Sequence, residues 1–470
     1  MSRYKTLLKD TFIFGLGSFG SKLILFLLVP LYTNFMTEAE YGTADLVFTI
    51  AQLLASFLSV VIFDAVIRFG LSKNEKKENV LLVGLTVLGF SVILGAVITP
   101  LFGFYKTVSP WKWYLYVYVL LFILHAIEFN YLKVKGQNKS YAWLSVISTA
   151  LMALLNVYFL TNRRLGIQGY LLAHIISISL VDVAAFFVGK LAADLQRAVF
   201  DRDLLKRMVI FSAPLVLNNA SWWVIQSSDK FMVEVMISTA ALGIYTAAAK
   251  IPALINVVVS IFQQAWGISS VKEFESSNDS KYYADVFKYL FLFTSGACIV
   301  FVTVMKVFMR FYVGKGFQDA WHYVPLLLVS AVFAAVAAYF GTMYSALKKS
   351  VNNMLTTVFA AVLNIAVNWI FIPIAGIWGA VIGTVVSFLA VALARVLDVK
   401  RYLVIPVEWK TFLPNCMIIL SHAVLVSLDY HIYICSAAAI LDFGLLNGKD
   451  IKRMVVMLTK KLPRRKTTQP

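Results

Sequence analysis

Runs of apolar residues long enough to cross a bilayer recur along the whole of this 470-residue sequence. A spanning helix needs about 20 mostly apolar residues. Inside hydrocarbon the backbone must satisfy its own hydrogen bonds, so a chain made of such runs folds as helices packed on helices. The expected fold is an all-α integral membrane protein of about fourteen transmembrane helices. The expected spans are 11–34, 43–70, 80–104, 111–133, 141–161, 167–190, 208–236, 240–270, 283–305, 322–346, 351–373, 377–397, 411–427 and 430–446. The last two are short and carry Pro414, His422, His431 and Asp442. Hydrophobic residues make up 60% of the chain and charged ones 14%, against about a quarter charged in a soluble domain. The longest polar interval, Leu191 to Arg207, is too short to fold alone.

The net charge of +18 would point to nucleic acid in a soluble protein. Here the basic residues flank the apolar runs, which points to membrane topology and to no nucleic-acid partner. With the N-terminus in the cytoplasm, 30 of the 42 Lys and Arg fall on cytoplasmic segments, 7 on outer loops and 5 inside spans. That bias predicts a multi-pass chain with both termini cytoplasmic. The apolar run after Arg3, Lys5 and Lys9 is too long for a signal-peptide core, so it is expected to be retained as the first helix. Cys298, Cys416 and Cys435 lie in apolar runs without metal-ligand or redox spacing.

The two halves echo each other. Leu155-Asn156-Val157, Gly166-Ile167-Gln168-Gly169 and Ile176-Ser177 reappear as Leu363-Asn364-Ile365, Gly376-Ile377-Trp378-Gly379 and Val386-Ser387. More weakly, Glu40-Tyr41-Gly42-Thr43-Ala44 matches Ala241-Leu242-Gly243-Ile244-Tyr245 at an offset of 201 residues. Offsets of this size fit six-helix units that start on the same side, and hence parallel repeats. The expected organisation is a six-helix bundle over 1–207, a second over 208–400, two extra helices over 401–446 and a basic tail over 447–470 on anionic headgroups.

Val29-Pro30-Leu31-Tyr32-Thr33, Thr37-Glu38-Ala39-Glu40-Tyr41-Gly42 and Arg68 resemble the opening of the polysaccharide-biosynthesis flippases. Ser228-Asp229-Lys230, Leu242-Gly243-Ile244-Tyr245-Thr246-Ala247-Ala248 and Asn364 with Gly376-Ile377-Trp378-Gly379-Ala380 resemble them again. These flippases belong to the multidrug/oligosaccharidyl-lipid/polysaccharide exporter superfamily. The resemblance implies two six-helix bundles, often with two more helices, in a bacterial cytoplasmic membrane. It implies a transporter rather than an enzyme, with no cofactor. The cargo would be an undecaprenyl-pyrophosphate-linked oligosaccharide destined for O-antigen, exopolysaccharide or capsule. The implied partners are that lipid-linked substrate, membrane lipids, H+ or Na+ as coupling ion, and polymerase or chain-length proteins of the same pathway. A multidrug or cation antiporter and a lipid-linked peptidoglycan-precursor flippase are the alternatives.

An ionised side chain at the centre of a span costs about 2.5–3.5 kcal/mol on insertion scales, so it normally faces a wet cavity or a partner. Lys22, Arg68, Lys230, Lys250 and Lys288 lie in spans, as do Asp45, Asp64, Glu128, Asp182, Asp229, Glu234, Asp285 and Asp442. Lys22, Lys250, Lys230 and Arg68 are the candidates to line a cleft for the anionic head. Asp229, Asp64 and Glu234 are the candidates for a coupling-ion or ion-pair role. Asp64 with Arg68, and Lys230 with Glu234, also have the spacing of simple helix-face pairs. Arg68 and Lys288 stand near span ends, where they can snorkel. Trp222, Trp223, Tyr245 and Trp266 suit sugar stacking, but residues of this kind are more often core or lipid-facing. His125, His174 and His322 each stand alone and are read as hydrogen-bonded packing residues. No nucleotide-binding Gly-x-x-x-x-Gly-Lys loop is present, which points away from ATP. Asp201-Arg202-Asp203 reads as a helix start rather than a metal motif, and the sequons at Asn138 and Asn278 fall on cytoplasmic segments.

Overall fold

The structure is a computed structural model that describes residues 22–459, except Lys73, Ser277, Asn278, Lys348 and Val404. The start of the first expected span, the basic cluster Arg3, Lys5 and Lys9, Asn278 of the second sequon and the tail from Lys460 lie outside the described residues. Within them the secondary structure is helical, and thirteen helices are long and apolar enough to cross a bilayer. This is a multi-pass membrane protein.

The elements in chain order begin with α1 (Lys22–Phe35), α2 (Glu38–Leu58), α3 (Ile62–Gly70), α4 (Lys77–Phe104), α5 (Ser109–Val134), α6 (Asn138–Asn162), α7 (Gly166–Val188) and the short α8 (Leu191–Arg197). They continue with α9 (Arg202–Met236), α10 (Thr239–Ser276), α11 (Ser280–Tyr312), α12 (Val324–Ala346), α13 (Ser350–Ala375), α14 (Ile377–Val399), α15 (Trp409–Ser427) and α16 (Ile432–Thr459). The two extra helices at the end are present. α16 continues well past the expected end at 446, and Asn447 exchanges side-chain hydrogen bonds of 3.1 and 2.8 Å with Asn415 of α15.

The span expected over 43–70 is two helices. α2 ends at Leu58, and the chain turns through Val60 (φ 50°) and Val61 (φ 55°) before α3 starts. Left-handed backbone is unfavourable for β-branched residues. It persists here because side chains take up the polar groups that the break exposes. Ser91 donates to Leu58 O at 2.9 Å and Asn130 to Phe63 O at 2.8 Å, while Ser59 Oγ accepts from Val61 N at 3.2 Å. No glycine or proline marks the turn, so the sequence pattern reads straight through it.

Contacts divide the chain into two compact units. The first is Met1–Lys250 with Arg310–Ala320 and Thr357–Gly383; the second is Ile251–Met309 with Trp321–Thr356 and Thr384–Pro470. In the first unit, α5 packs against α2, α3, α4 and α7. In the second, α15 packs against α12 and α16.

The repeated glycines have structural jobs. Gly166 (φ +52°) and Gly376 (φ +60°) hold the same left-handed turn in the two halves, a conformation that glycine adopts without a Cβ penalty. At the other echo, α2 and α10 cross in direct backbone contact. A Cβ on Gly42 would lie 2.7 Å from Gly243 N and closer still to Thr239 O. One on Gly243 would lie 2.7 Å from the Glu38 carbonyl carbon. Each glycine meets the residue four positions before the other, so the contact is reciprocal. Such reciprocity is the mark of a local two-fold relation.

Candidate functional site

The crossing of α2 and α10 sets up the polar cluster of the first unit. α2 starts from a capping box, in which Thr37 Oγ1 accepts from Glu40 N at 3.3 Å and Glu40 Oε2 accepts from Thr37 N at 2.9 Å. From that fixed start, Gly42, Asp45 and Thr49 follow at helical spacing on one face. On α10 the corresponding face carries Gly243, Thr246 and Lys250, each 201 residues further on.

Asp45 is buried and holds two ammonium groups. Lys230 Nζ of α9 lies 2.8 Å from Asp45 Oδ2, and Lys250 Nζ lies 3.2 Å from Asp45 Oδ1. Thr246 Oγ1, the repeat counterpart of Asp45, lies 3.3 Å from Oδ2. The lysine side chains keep 18% and 34% of their exposure, against 12% for Asp45, so each lysine is partly accessible. Charge-assisted hydrogen bonds of this kind are strong where water is scarce.

Three neighbours complete the cluster. Asp229 accepts the Tyr245 hydroxyl. Ser228 Oγ donates to Asn364 Oδ1 at 2.8 Å, and Asn368 Nδ2 donates to the same oxygen at 3.1 Å. Trp223 Nε1 donates to Thr49 O at 2.7 Å, and its ring lines an apolar cavity of about 640 Å³ with Ile50, Leu54, Phe102 and Phe231. Phe48 of α2 packs against Tyr118, Tyr170 and His174, with ring centroids 4.4, 5.5 and 4.4 Å away.

The structure therefore brings Lys230 and Lys250 together and supplies Asp45, a span acid that sequence reasoning had not placed in the site. The signal was present: Asp45 directly follows the Gly42-Thr43-Ala44 echo, and its counterpart is Thr246. Lys22 is exposed on α1 and Arg68 is exposed at the end of α3; no ion pair joins either to the cluster among the described residues. The helix-face pairs expected from spacing are replaced by others. Lys230 turns to Asp45, and Glu234 accepts the Tyr105 hydroxyl and, at 2.5 Å, the Thr107 hydroxyl. Asp64 feels the charge of Lys133 on α5. Lys288 binds Asp450 at 2.9 Å and Glu408 at 3.1 Å within the second unit. Tyr245 and Trp266 are buried and take no part in any exposed stacking surface, Trp266 lying 5.1 Å from the Tyr339 ring. Asp201 caps α9, accepting from Asp203 N at 2.9 Å and Leu204 N at 3.0 Å, as a helix start should.

Residues 7–266 match the family described as polysaccharide biosynthesis protein, more than half of the chain and all but the α13 part of this cluster. The chain belongs to that family. A protein of the Lsg locus of Haemophilus influenzae is 22% identical to this family member over 260 residues, which is 55% of this chain and 64% of that protein's length. Among solved structures, the fold is similar to the lipid II flippase MurJ in an inward closed conformation (TM-score 0.72, 13% identity, 94% of this chain and 100% of that one). It is also similar to a multidrug resistance MATE family transporter of the MOP superfamily in an inward-facing conformation (TM-score 0.63, 15% identity, 81% and 98%). This polysaccharide biosynthesis protein thus has the fold of that transporter superfamily.

Proposed function

We propose that this polysaccharide biosynthesis protein is a flippase. It carries an undecaprenyl-pyrophosphate-linked oligosaccharide from the cytoplasmic to the outer leaflet of the bacterial inner membrane, for O-antigen, exopolysaccharide or capsule. Transport runs by alternating access of the two six-helix repeats, 1–207 and 208–400, with both termini in the cytoplasm. The chain moves its cargo without changing it, so it is no enzyme, and H+ or Na+ supplies the drive.

The observation that carries the reading is the convergence of Lys230 and Lys250 on the single carboxylate of Asp45. A pyrophosphate is costly to bring into a low-dielectric region and needs cationic partners there. Both lysines keep part of their surface, so a phosphate oxygen can join Asp45 on the two ammonium groups. Lys22 and Arg68 are further cations for the approach, and Asp229 is the acid available to a coupling ion. A carrier of cationic drugs has no use for two ammonium groups at one point.

The test is replacement of Lys230, Lys250 or both with Ala in the native host, with the protein level in the membrane checked. Surface polysaccharide should disappear, and completed lipid-linked repeat units should accumulate on the cytoplasmic leaflet. Normal polysaccharide in the double variant removes the cationic site from the mechanism. Failure of cell-wall synthesis with normal surface polysaccharide assigns the cargo to peptidoglycan precursors, and altered cation-drug efflux alone assigns the chain to the antiporters.

A further inference from the structure

Away from the lysine cluster, the first unit holds a second group of ionisable side chains, whose two acids are buried and whose imidazole is a quarter exposed. His125 and Glu128 stand three residues apart on α5, which places them on one face of the helix. Asp182 of α7 meets that face, with His125 Nδ1 2.6 Å from Asp182 Oδ1. Glu128 and Asp182 are each only 3% exposed, and Glu128 lies within electrostatic reach of Asp182. Neither Glu128 Oε2 nor Asp182 Oδ2 has a hydrogen-bond partner among the described residues.

The surroundings are apolar. Phe129, Leu132, Leu144, Val181 and Ala185 pack together beside the group, and the Phe129 ring lies 3.8 Å from that of His125. The nearest cation along α5, Lys133, is turned to the Tyr141 ring of α6 at 4.3 Å and to Asn130 at 3.4 Å. Asp64 of α3 lies within electrostatic reach of Lys133, and His174 of α7 is packed against Phe48 and Tyr170. No hydrogen bond or ion pair from α2, α3, α4 or α6 reaches the three residues among the described residues.

Two carboxylates and one imidazole are therefore left to balance one another. An uncompensated ion in such surroundings costs several kcal/mol. If the imidazole is charged and paired with Asp182, the second carboxylate is still without a counter-ion, and only its protonation gives a neutral group. No trio of His, Cys, Asp or Glu arranged to hold a metal ion occurs among the described residues, and a proton needs no such cage.

We propose that His125, Glu128 and Asp182 form a proton-binding site between α5 and α7, with Glu128 holding the exchangeable proton. Releasing it sets two like charges against each other across the two helices, which changes how they pack. That is the element through which a proton gradient drives transport; this coupling role, unlike the binding, rests on the flippase reading above.

Infrared spectra of the purified full chain in lipid nanodiscs at neutral pH test the binding without any substrate. The expected result is a protonated-carboxyl stretch that moves when all glutamates carry carbon-13 and disappears in Glu128→Gln. The isotope arm uses the unaltered protein, so it does not depend on a variant folding. Absence of that stretch, or a stretch unmoved by glutamate labelling, overturns the site. For coupling, Glu128→Gln should lower surface polysaccharide about tenfold or more, and unchanged polysaccharide overturns the coupling role. Failure of the flippase reading shows separately, as normal polysaccharide in the Lys230 and Lys250 variants.

Discussion

Gly42 and Gly243 stand back to back where α2 crosses α10, each leaving no space for a Cβ against the other helix's backbone. They are 201 residues apart and occupy the same place in the two halves. The polar cluster one turn along each helix depends on that close approach, because it sets the distance between Asp45 and Thr246.

Gly42→Ala and Gly243→Ala should each destabilise the protein by about 1–3 kcal/mol, the usual cost of overpacking. The obstructing atoms are main-chain, so local side-chain repacking gives no relief. The two changes report on one contact, and residues in contact do not act additively. The double variant should therefore be little worse than either single one in thermal unfolding of the detergent-solubilised protein.

Asp45→Asn should be more damaging to the membrane level of the protein than Lys250→Met. The first leaves two ammonium groups facing each other without their carboxylate, whereas the second leaves Asp45 still paired with Lys230. Adding Lys250→Met to Asp45→Asn should restore part of the lost level. Quantitative membrane immunoblots of the three variants check the order.

Val60→Gly should raise the unfolding temperature. A β-branched residue in left-handed backbone carries about 1–3 kcal/mol of strain, while glycine's extra chain entropy takes back about 0.5–1 kcal/mol. Val60 is only half-buried, so little packing is lost. The comparison is the apparent melting temperature of the variant and the parent protein in one detergent.

Glu234→Gln should loosen the connection between α4 and α5. The carboxylate accepts from both Tyr105 and Thr107, whereas an amide offers one acceptor oxygen and places an N–H group where the other stood. Leaving a donor without its acceptor costs about 1–3 kcal/mol. Hydrogen exchange over residues 105–108 should speed up, with α5 itself unchanged.

Much of the fold is legible in the sequence, because apolar runs of bilayer length leave few alternatives. The repeat was legible for a related reason: the glycines at 42, 166, 243 and 376 each answer a local backbone demand that other residues meet poorly. The break at Val60–Val61 was hidden because what stabilises it is remote, in Ser91 and Asn130. The site was half legible. Lys230 and Lys250 stood out as charges in apolar runs, but their partner had to come from a helix some 200 residues away. The short-range pairs offered by Lys230–Glu234 and Asp64–Arg68 were misleading, since i,i+4 spacing permits a pair and tertiary packing decides which one forms. His125 looked solitary for the same reason, with Asp182 lying 57 residues further along the chain.

The placement of Asp45 between two lysines, with Asp229 one residue before Lys230, has an electrical consequence. With both acids ionised, these four side chains sum to zero. An elementary charge moved across a membrane potential of 100 mV involves about 2.3 kcal/mol of work. A neutral cluster can shift through that field with almost none. This cluster then adds nothing to the voltage dependence of the working cycle beyond the charge of what it binds.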